Sequence, residues 1–263
     1  MTSPTWRFRS THSNYKSKNT MNKKYELTDE TIVYYGHTLH RIKLLVAIGA
    51  MEAGTLGGYI ESEDNLSQEG ECMVCGSAKV YGSAKVYDNA EVYGSAEVYD
   101  NAKVYDNAEV CDNAEVCGYA EVYDNAEVYG SAEVYGSAKV YGSAKVCGYA
   151  EVYDNAEVYG SAEVYDNAEV YDNAEVYDNA EIRANARIAK KEDYITFKNF
   201  WSSGRYFTWT RSNNKWKVGC FYGTGNELIA KAYKDSKRSG REYERVVRYV
   251  ESILADEAKD KTE

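Results

Sequence analysis

From Val74 to Ala189 apolar and polar positions alternate within one six-residue sentence, Ala-Glu-Val-Tyr-Asp-Asn or Ala-Lys-Val-Tyr-Gly-Ser. The aliphatic slot falls at Val74, Val80 and every sixth residue through Val176, then at Ile182 and Ile188, twenty positions without a slip. A fixed period decides architecture before local propensity does. Within the hexad Ala and Val point to one side, and Glu (or Lys) and Tyr to the other, which is the mark of a short strand with one buried face. The closing pair, Asp-Asn or Gly-Ser, is turn chemistry. Strand and corner in regular alternation predict a chain that coils. A helix is excluded, because this period matches neither of the helical repeats of about 3.6 and 3.5 residues.

The aliphatic-x-x-x-small-x pattern, as in Val92-Tyr-Gly-Ser-Ala96-Glu, resembles the hexapeptide repeat of left-handed parallel β-helices. The resemblance implies a mainly β fold in which three hexads make one triangular coil. The hexapeptide-repeat β-helix is expected over residues 60–189, between an N-terminal β cap at 21–59 and a basic α+β module at 190–263. Its left hand comes from the resemblance, since parallel crossovers are ordinarily right-handed. The clean array would give roughly 6.4 coils, a rod ~31 Å long at a strand spacing of ~4.8 Å. One departure stands out: the family carries a small or acidic residue after the aliphatic one, and this chain carries Tyr.

Outside the array the pattern changes. Residues 1–20 hold no Leu, Ile or Val and four basic residues without an acid, which predicts a disordered arm or an upstream extension before Met21. Thr31–Gly36 and Thr38–Leu45 predict two strands joined at Gly36-His37. His37 and His40 lie on this hairpin and are expected to be structural. Ile60, Leu66 and Cys72 are spaced by six, in phase with the later alanine slot, so the repeat is expected to begin before its clean copies. The segment before them reads as a cap over an open β-helix end. After Ala189 three strands are predicted, at Tyr194–Phe197, Arg205–Arg211 and Lys215–Tyr222. Two helices follow, with capping-box spacing at Thr224-x-x-Glu227 and Ser239-x-x-Glu242. The apolar stripe of the second is Tyr243, Val246, Val247, Val250, Ile253 and Leu254.

Charge divides the chain. Residues 74–189 carry 13 Glu, 9 Asp, 5 Lys and 2 Arg, a net of −15. Along the expected rod that is one negative charge per roughly 2 Å, against one per about 1.7 Å in duplex DNA. Tyr194–Ala255 holds 12 basic and 5 acidic residues, a net of +7. The six cysteines do not form a disulfide framework. Cys111, Cys117 and Cys147 replace Tyr in the outward slot. Cys75, Cys111 and Cys147 recur every second coil, roughly 9.6 Å apart, too far to bridge. Phase puts Cys72 inside and Cys75 outside, so their C-x-x-C spacing marks neither a metal nor a redox site, and a reducing compartment is expected. No metal or cofactor is expected either, because a core of Val and Ala is too narrow for one. No apolar run is long enough to span a membrane.

Three sets of residues are candidates for contact. Tyr87, Tyr105, Tyr123, Tyr141, Tyr159 and Tyr177 recur every 18 residues and predict an aromatic column on one face. It serves either to stabilise adjacent coils or to meet a partner or a second copy. Glu97, Glu115, Glu133, Glu151 and Glu169 predict an acidic column, a solvated face or a mimic of a phosphate backbone. The hairpin with Arg205, Trp209, Arg211, Lys215 and Lys217 mixes cations and rings, as a core-forming hairpin or as an anion-binding surface for single-stranded nucleic acid.

Residues 114–135 recur at 144–165 with only Lys145 replacing Glu115. That shift of 30 is five hexads but not a whole number of coils, so the copy lands on other faces. This suits a structural rod better than a placed catalytic site. Hexapeptide-type acyltransferases typically use a histidine base, and residues 41–263 contain no histidine. Cys220 has no histidine near it in sequence, so no thiol nucleophile is expected. The end segments, GHTLHRIKLL with LGGYIESEDNLSQEG and SGRYFTWTRSNNKWKVGCFYGTG, are similar to those of uncharacterised hexad-repeat proteins carried by bacteriophages and prophages. The resemblance implies a phage or prophage origin and a bacterial cytoplasm. The expectation is a non-catalytic rod that binds a protein partner or itself through its Tyr and Glu columns, with no small-molecule substrate. The alternative is an acidic decoy for a host DNA-binding or defence protein.

Overall fold

The computed structural model describes residues 23–260, and the basic arm expected at 1–20 lies outside them. The hexads form a parallel β-solenoid of about seven turns. Each contributes a strand of only two residues, from β4 (Met73–Val74) to β23 (Arg187–Ile188). Every third strand stacks in parallel register, so Glu109 sits over Glu91 and Val110 over Val92. Three sheets result, with the corners between them. Flanking residues complete the ladder: Asn89 N–H donates to Asp106 O at 2.8 Å, Glu91 N–H to Ala108 O at 2.9 Å and Tyr93 N–H to Val110 O at 3.0 Å.

The alternation predicted for the hexad is realised throughout. Every Ala from Ala78 to Ala186 in the inward slot, and every Val from Val80 to Val176, is fully buried. All nine aspartates of the array open a corner with φ between 57° and 62°. This left-handed conformation is open to Gly, Asn and Asp and closed to most other residues. The Gly/Asp choice at that slot follows directly. At Gly118 an added Cβ would also meet Gly136 O at 2.8 Å, so the next coil closes that corner to side chains.

The phase of the first coil departs from expectation. Ile60 lies over Val80 and Leu66 over Val86, so both occupy the aliphatic slot and not the alanine slot. Spacing by six cannot distinguish the two inward slots, and the larger cavity takes the larger side chain. The chain recovers phase by two extra residues before Met73, helped by Gly70 at φ +69°.

The N-terminal cap extends one solenoid sheet. β1 (Tyr25–Tyr34) and β2 (His37–Leu44) form an antiparallel hairpin, and β2 pairs with β3 (Leu56–Ile60), which runs parallel to the first rungs. The hairpin turns at Tyr35-Gly36, one residue earlier than predicted, because both take positive φ. His37 Nδ1 lies 2.9 Å from Glu61 and His40 Nδ1 3.2 Å from Thr28 O. Buried Lys24 sits at the mouth of the first coil, donating to Cys72 O at 2.8 Å and Cys72 Sγ at 3.0 Å.

At the other end stands a four-stranded antiparallel sheet, one strand more than predicted: β24 (Tyr194–Lys198), β25 (Tyr206–Thr210), β26 (Lys215–Val218) and β27 (Phe221–Gly223). Gly219 at φ +55° splits the third predicted strand into a second hairpin. Helices α1 (Gly225–Asp235) and α2 (Lys237–Asp260) cover one sheet face. Thr224 caps α1 with the predicted capping box. Helix α2 starts earlier than Ser239, whose N–H donates to Ser236 Oγ at 3.0 Å. Phe207, Trp209, Trp216 and Val218 are buried against Leu228, Tyr243, Val247 and Val250 of the helices.

The opposite sheet face closes the rod. The last coil has no successor, so its outward amides need other partners. Tyr194 Oη accepts from Tyr177 N–H (3.4 Å) and donates to Glu175 O (3.1 Å). Thr208 Oγ1 accepts from Glu181 N–H (3.0 Å) and Ser212 Oγ from Arg187 N–H (2.7 Å). Thr196, paired across the strands with Thr208, is a contrast: its Oγ1 is buried without a hydrogen-bond partner. These two threonines predict opposite effects. Thr208→Val strands a partly buried amide and should lower stability by about 1–2 kcal/mol, whereas Thr196→Val removes an unpaired hydroxyl and should leave stability unchanged or raise it by up to about 1 kcal/mol. Urea midpoints of the two variants check the pair.

Candidate functional site

The six predicted tyrosines form the unbroken column. Tyr87, Tyr105, Tyr123, Tyr141, Tyr159 and Tyr177 stack with centroids 4.9–5.4 Å apart and nearly parallel planes. Stacking covers their faces with one another, and only Tyr177 counts as exposed. On the face that carries the acidic column, Tyr81–Tyr99 and Tyr135–Tyr153–Tyr171 stack likewise, broken at Cys117. The third column alternates Cys75, Tyr93, Cys111, Tyr129, Cys147 and Tyr165. Its cysteines are partly buried, and Cys75 lies 3.8 Å from Met51 Sδ. Burial, then Glu91, pushes the Cys75 thiol up to about 11, which makes it a poor nucleophile.

The Tyr and Glu columns are one network. Nine Tyr hydroxyls donate to the Glu sixteen residues on, in the next coil, among them Tyr93 to Glu109 (3.0 Å), Tyr99 to Glu115 (3.1 Å), Tyr141 to Glu157 (2.9 Å) and Tyr159 to Glu175 (3.1 Å). For Tyr135, Tyr141, Tyr153 and Tyr159 burial, then the hydrogen bond to a carboxylate, holds the phenol above its ordinary range; Tyr153 and Tyr159 are each pushed up to about 12. Corner aspartates act similarly: Asp112 accepts from Gly130 N–H and Asp124 from Gly142 N–H, both at 3.1 Å.

In the acidic column Glu97, Glu115, Glu133, Glu151 and Glu169 sit one above another. Cations close both ends, Lys79 to Glu97 at 3.1 Å and Arg187 to Glu169 at 2.9 Å. Glu97, Glu115, Glu151 and Glu169 each accept from a Tyr hydroxyl. Glu133 has Cys117 where that Tyr would be. Desolvation against the stack, then Glu115 and Glu151, raises its pKa.

The basic hairpin finds its anions inside the molecule. Lys217 pairs with Glu181 at the rod's end, and Arg211 grips Glu257 of α2 through two bonds of 2.7 and 3.1 Å. Trp209, expected as a stacking ring, is 2% exposed and belongs to the core, so it offers no face to a base. Arg205 packs along Gly219, and Lys215 lies on the strand face that meets the rod. Of the hairpin's cations, Lys217 therefore ties the module to the acidic rod and Arg211 ties the hairpin to α2.

Exposed chemistry lies instead on residues the sequence pattern did not mark. Phe200 and Trp201, in the loop after β24, are 75% and 65% exposed, and Tyr249 on α2 is 63% exposed. Trp201 and Tyr249, with Ile195, Phe197 and Val246, border an apolar groove of about 530 Å³ between β24 and α2. Tyr119 and Tyr149, each in a corner slot that elsewhere holds Ser or Asn, are also open to water. A Phe-Trp pair in a predicted loop was the available signal for the groove. Among the described residues no group of three or more His, Cys, Asp or Glu is placed to hold a metal ion, and no helix is long and apolar enough to cross a membrane. No known protein family model matches the chain, and no curated protein matches it.

Two outcomes follow from the network. Because the phenols keep their protons longer when folded than the ordinary value near 10, folding holds protons that the unfolded chain releases, and stability falls as pH rises from there. Full stability should persist below pH ~10, with cooperative loss of circular dichroism at about pH 10–12 accompanied by tyrosinate absorbance. Cys117→Tyr should complete the broken stack, supply the missing donor to Glu133 and raise stability by about 0.5–1 kcal/mol. Thermal melts check the gain, and carboxyl NMR should show the Glu133 pKa falling.

Proposed function

We propose that the protein is a non-catalytic binding or assembly scaffold of phage or prophage origin, working in a bacterial cytoplasm. The rod is a stiff spacer, and the C-terminal module makes the contact. One observation carries this reading: the division of surface between the two parts. On the rod, Tyr hydroxyls and Asp carboxylates are already bound within the stack. On the module, Trp201 and Tyr249 stand in water around an apolar groove, with exposed Phe200 next to Trp201 in the chain. Exposed aromatics beside a concave apolar surface are the usual anchors of protein contacts.

Contact through the Tyr column itself, the expectation from sequence, is less well supported, since its rings cover one another. The acidic-decoy reading draws on the net −15 of the array. It is weakened by nine glutamates turned along the rod to neighbouring hydroxyls.

Affinity purification from a bacterial lysate, at low and high salt, tests the division. Three full-length baits are compared: wild type, a chain lacking the single coil 98–115, and Trp201→Ala with Tyr249→Ala. The scaffold reading expects the same partner on the first two and none on the third. Capture that ignores the aromatic changes but disappears at high salt, or with the coil, would place the contact on the rod and favour the decoy.

A further inference from the structure

We infer that the groove between β24 and α2 takes an extended, acidic peptide segment, which joins the sheet as a fifth strand beside β24. The inference rests on the scaffold reading and names the chemistry of its partner.

The backbone supplies the first argument. β24 is the edge of its sheet. Arg211 N–H donates to Asp193 O at 2.7 Å and Asn199 N–H to Arg205 O at 2.9 Å, so odd-numbered residues of this strand face β25. In an antiparallel pair the alternate residues turn their N–H and C=O groups the other way. Tyr194 packs against the rod. Thr196 and Lys198 therefore present unpaired backbone at the free edge, a template for another strand.

Side chains supply the second. The groove runs beside that edge, and its apolar wall comes from Ile195, Phe197, Trp201, Val246 and Tyr249. A strand laid along β24 directs alternate side chains toward α2, where they fill it. Trp201 and Tyr249 are positioned to close over such side chains.

Charge supplies the third. The module, residues 190–263, carries a net of +5. Lys198 Nζ lies over the rings of Phe200 and Tyr206, at 5.5 and 5.0 Å, without a carboxylate among the described residues within salt-bridge distance. An acidic segment is favoured over a neutral or basic one.

The same observations disfavour other occupants. The interior rungs of the rod are paired on both sides and offer no edge, and pairing β24 with its copy would bring two modules of net +5 together. A lipid surface or a nucleic acid cannot continue the backbone ladder.

Selection of random linear peptides on the full-length protein, followed by fluorescence anisotropy with the enriched sequences, tests the inference. Enriched peptides should combine acidic residues with alternating β-branched or aromatic ones. Binding should protect the Thr196 and Lys198 amides from hydrogen exchange and weaken with salt. Thr196→Pro, which removes an outward N–H and no internal bond, should weaken binding by at least about tenfold, and so should Trp201→Ala with Tyr249→Ala. If the proline variant fails to fold, amide protection and the aromatic variant decide.

Failure to enrich any peptide overturns the inference, as does binding that survives Thr196→Pro without new amide protection. Trp201-dependent binding of phosphatidylserine vesicles or a labelled oligodeoxynucleotide in place of peptide also overturns it. So does a wild-type dimer that Thr196→Pro converts to monomer. A lysate partner lost with the aromatic variant but kept by Thr196→Pro would leave the scaffold reading standing and remove strand addition alone.

Discussion

The hydrogen-bonded stacking of one coil on the next is the constraint from which the rest follows. It holds successive coils at the strand spacing, and every side chain then meets its counterpart from the neighbouring coil at about that distance. At 4.9 Å parallel phenol rings stack, so Tyr is tolerated in a slot where a lone exposed ring would gain little. The same spacing crowds carboxylates. The structure answers with hydroxyl donors from the preceding coil and with cations at the column ends. Tyr is thus both the filler of its own column and the solvent substitute for the next.

An open stack leaves unpaired backbone at both ends, and the two ends are closed by different means. The N-terminal hairpin continues one sheet as ordinary β structure and sets a buried lysine over the first coil. The C-terminal sheet lies across the last coil and offers hydroxyl oxygens to its amides. Closure here is also electrostatic, through Lys217 on Glu181, so a basic module on an acidic rod is part of one fold. Termination of this kind also blocks edge-to-edge association of a repetitive β protein. The module keeps one edge of its own, at β24, and that is where the remaining apolar surface is gathered.

The acidic and aromatic columns show why a periodic surface is not by itself a site. Their regularity follows from the repeat, and their polar groups satisfy each other along the axis. Departures from the repeat are more informative. Cys117 interrupts the stack and leaves Glu133 without a donor. Tyr119 and Tyr149 place rings in water where the hexad holds Ser or Asn.

Much of this protein was determined by its sequence alone. The hexad dictated an interior of Ala and Val, corners of Asp and Gly in a left-handed backbone, coils of three hexads and a six-ring Tyr column, because each rests on interactions that recur at a fixed separation along the chain. What the tertiary structure decided was every choice between partners not fixed by that period. Spacing by six could not say whether Ile60 and Leu66 fill the aliphatic or the alanine slot, since both face inward. Alternation in the hairpin could not say whether Trp209 faces helices or solvent, nor that Lys217 would meet Glu181. Nor could it say that Trp201 and Tyr249, separated by about fifty residues, would border one groove. Such contacts depend on how a strand edge and a helix pack, and no local repeat encodes that.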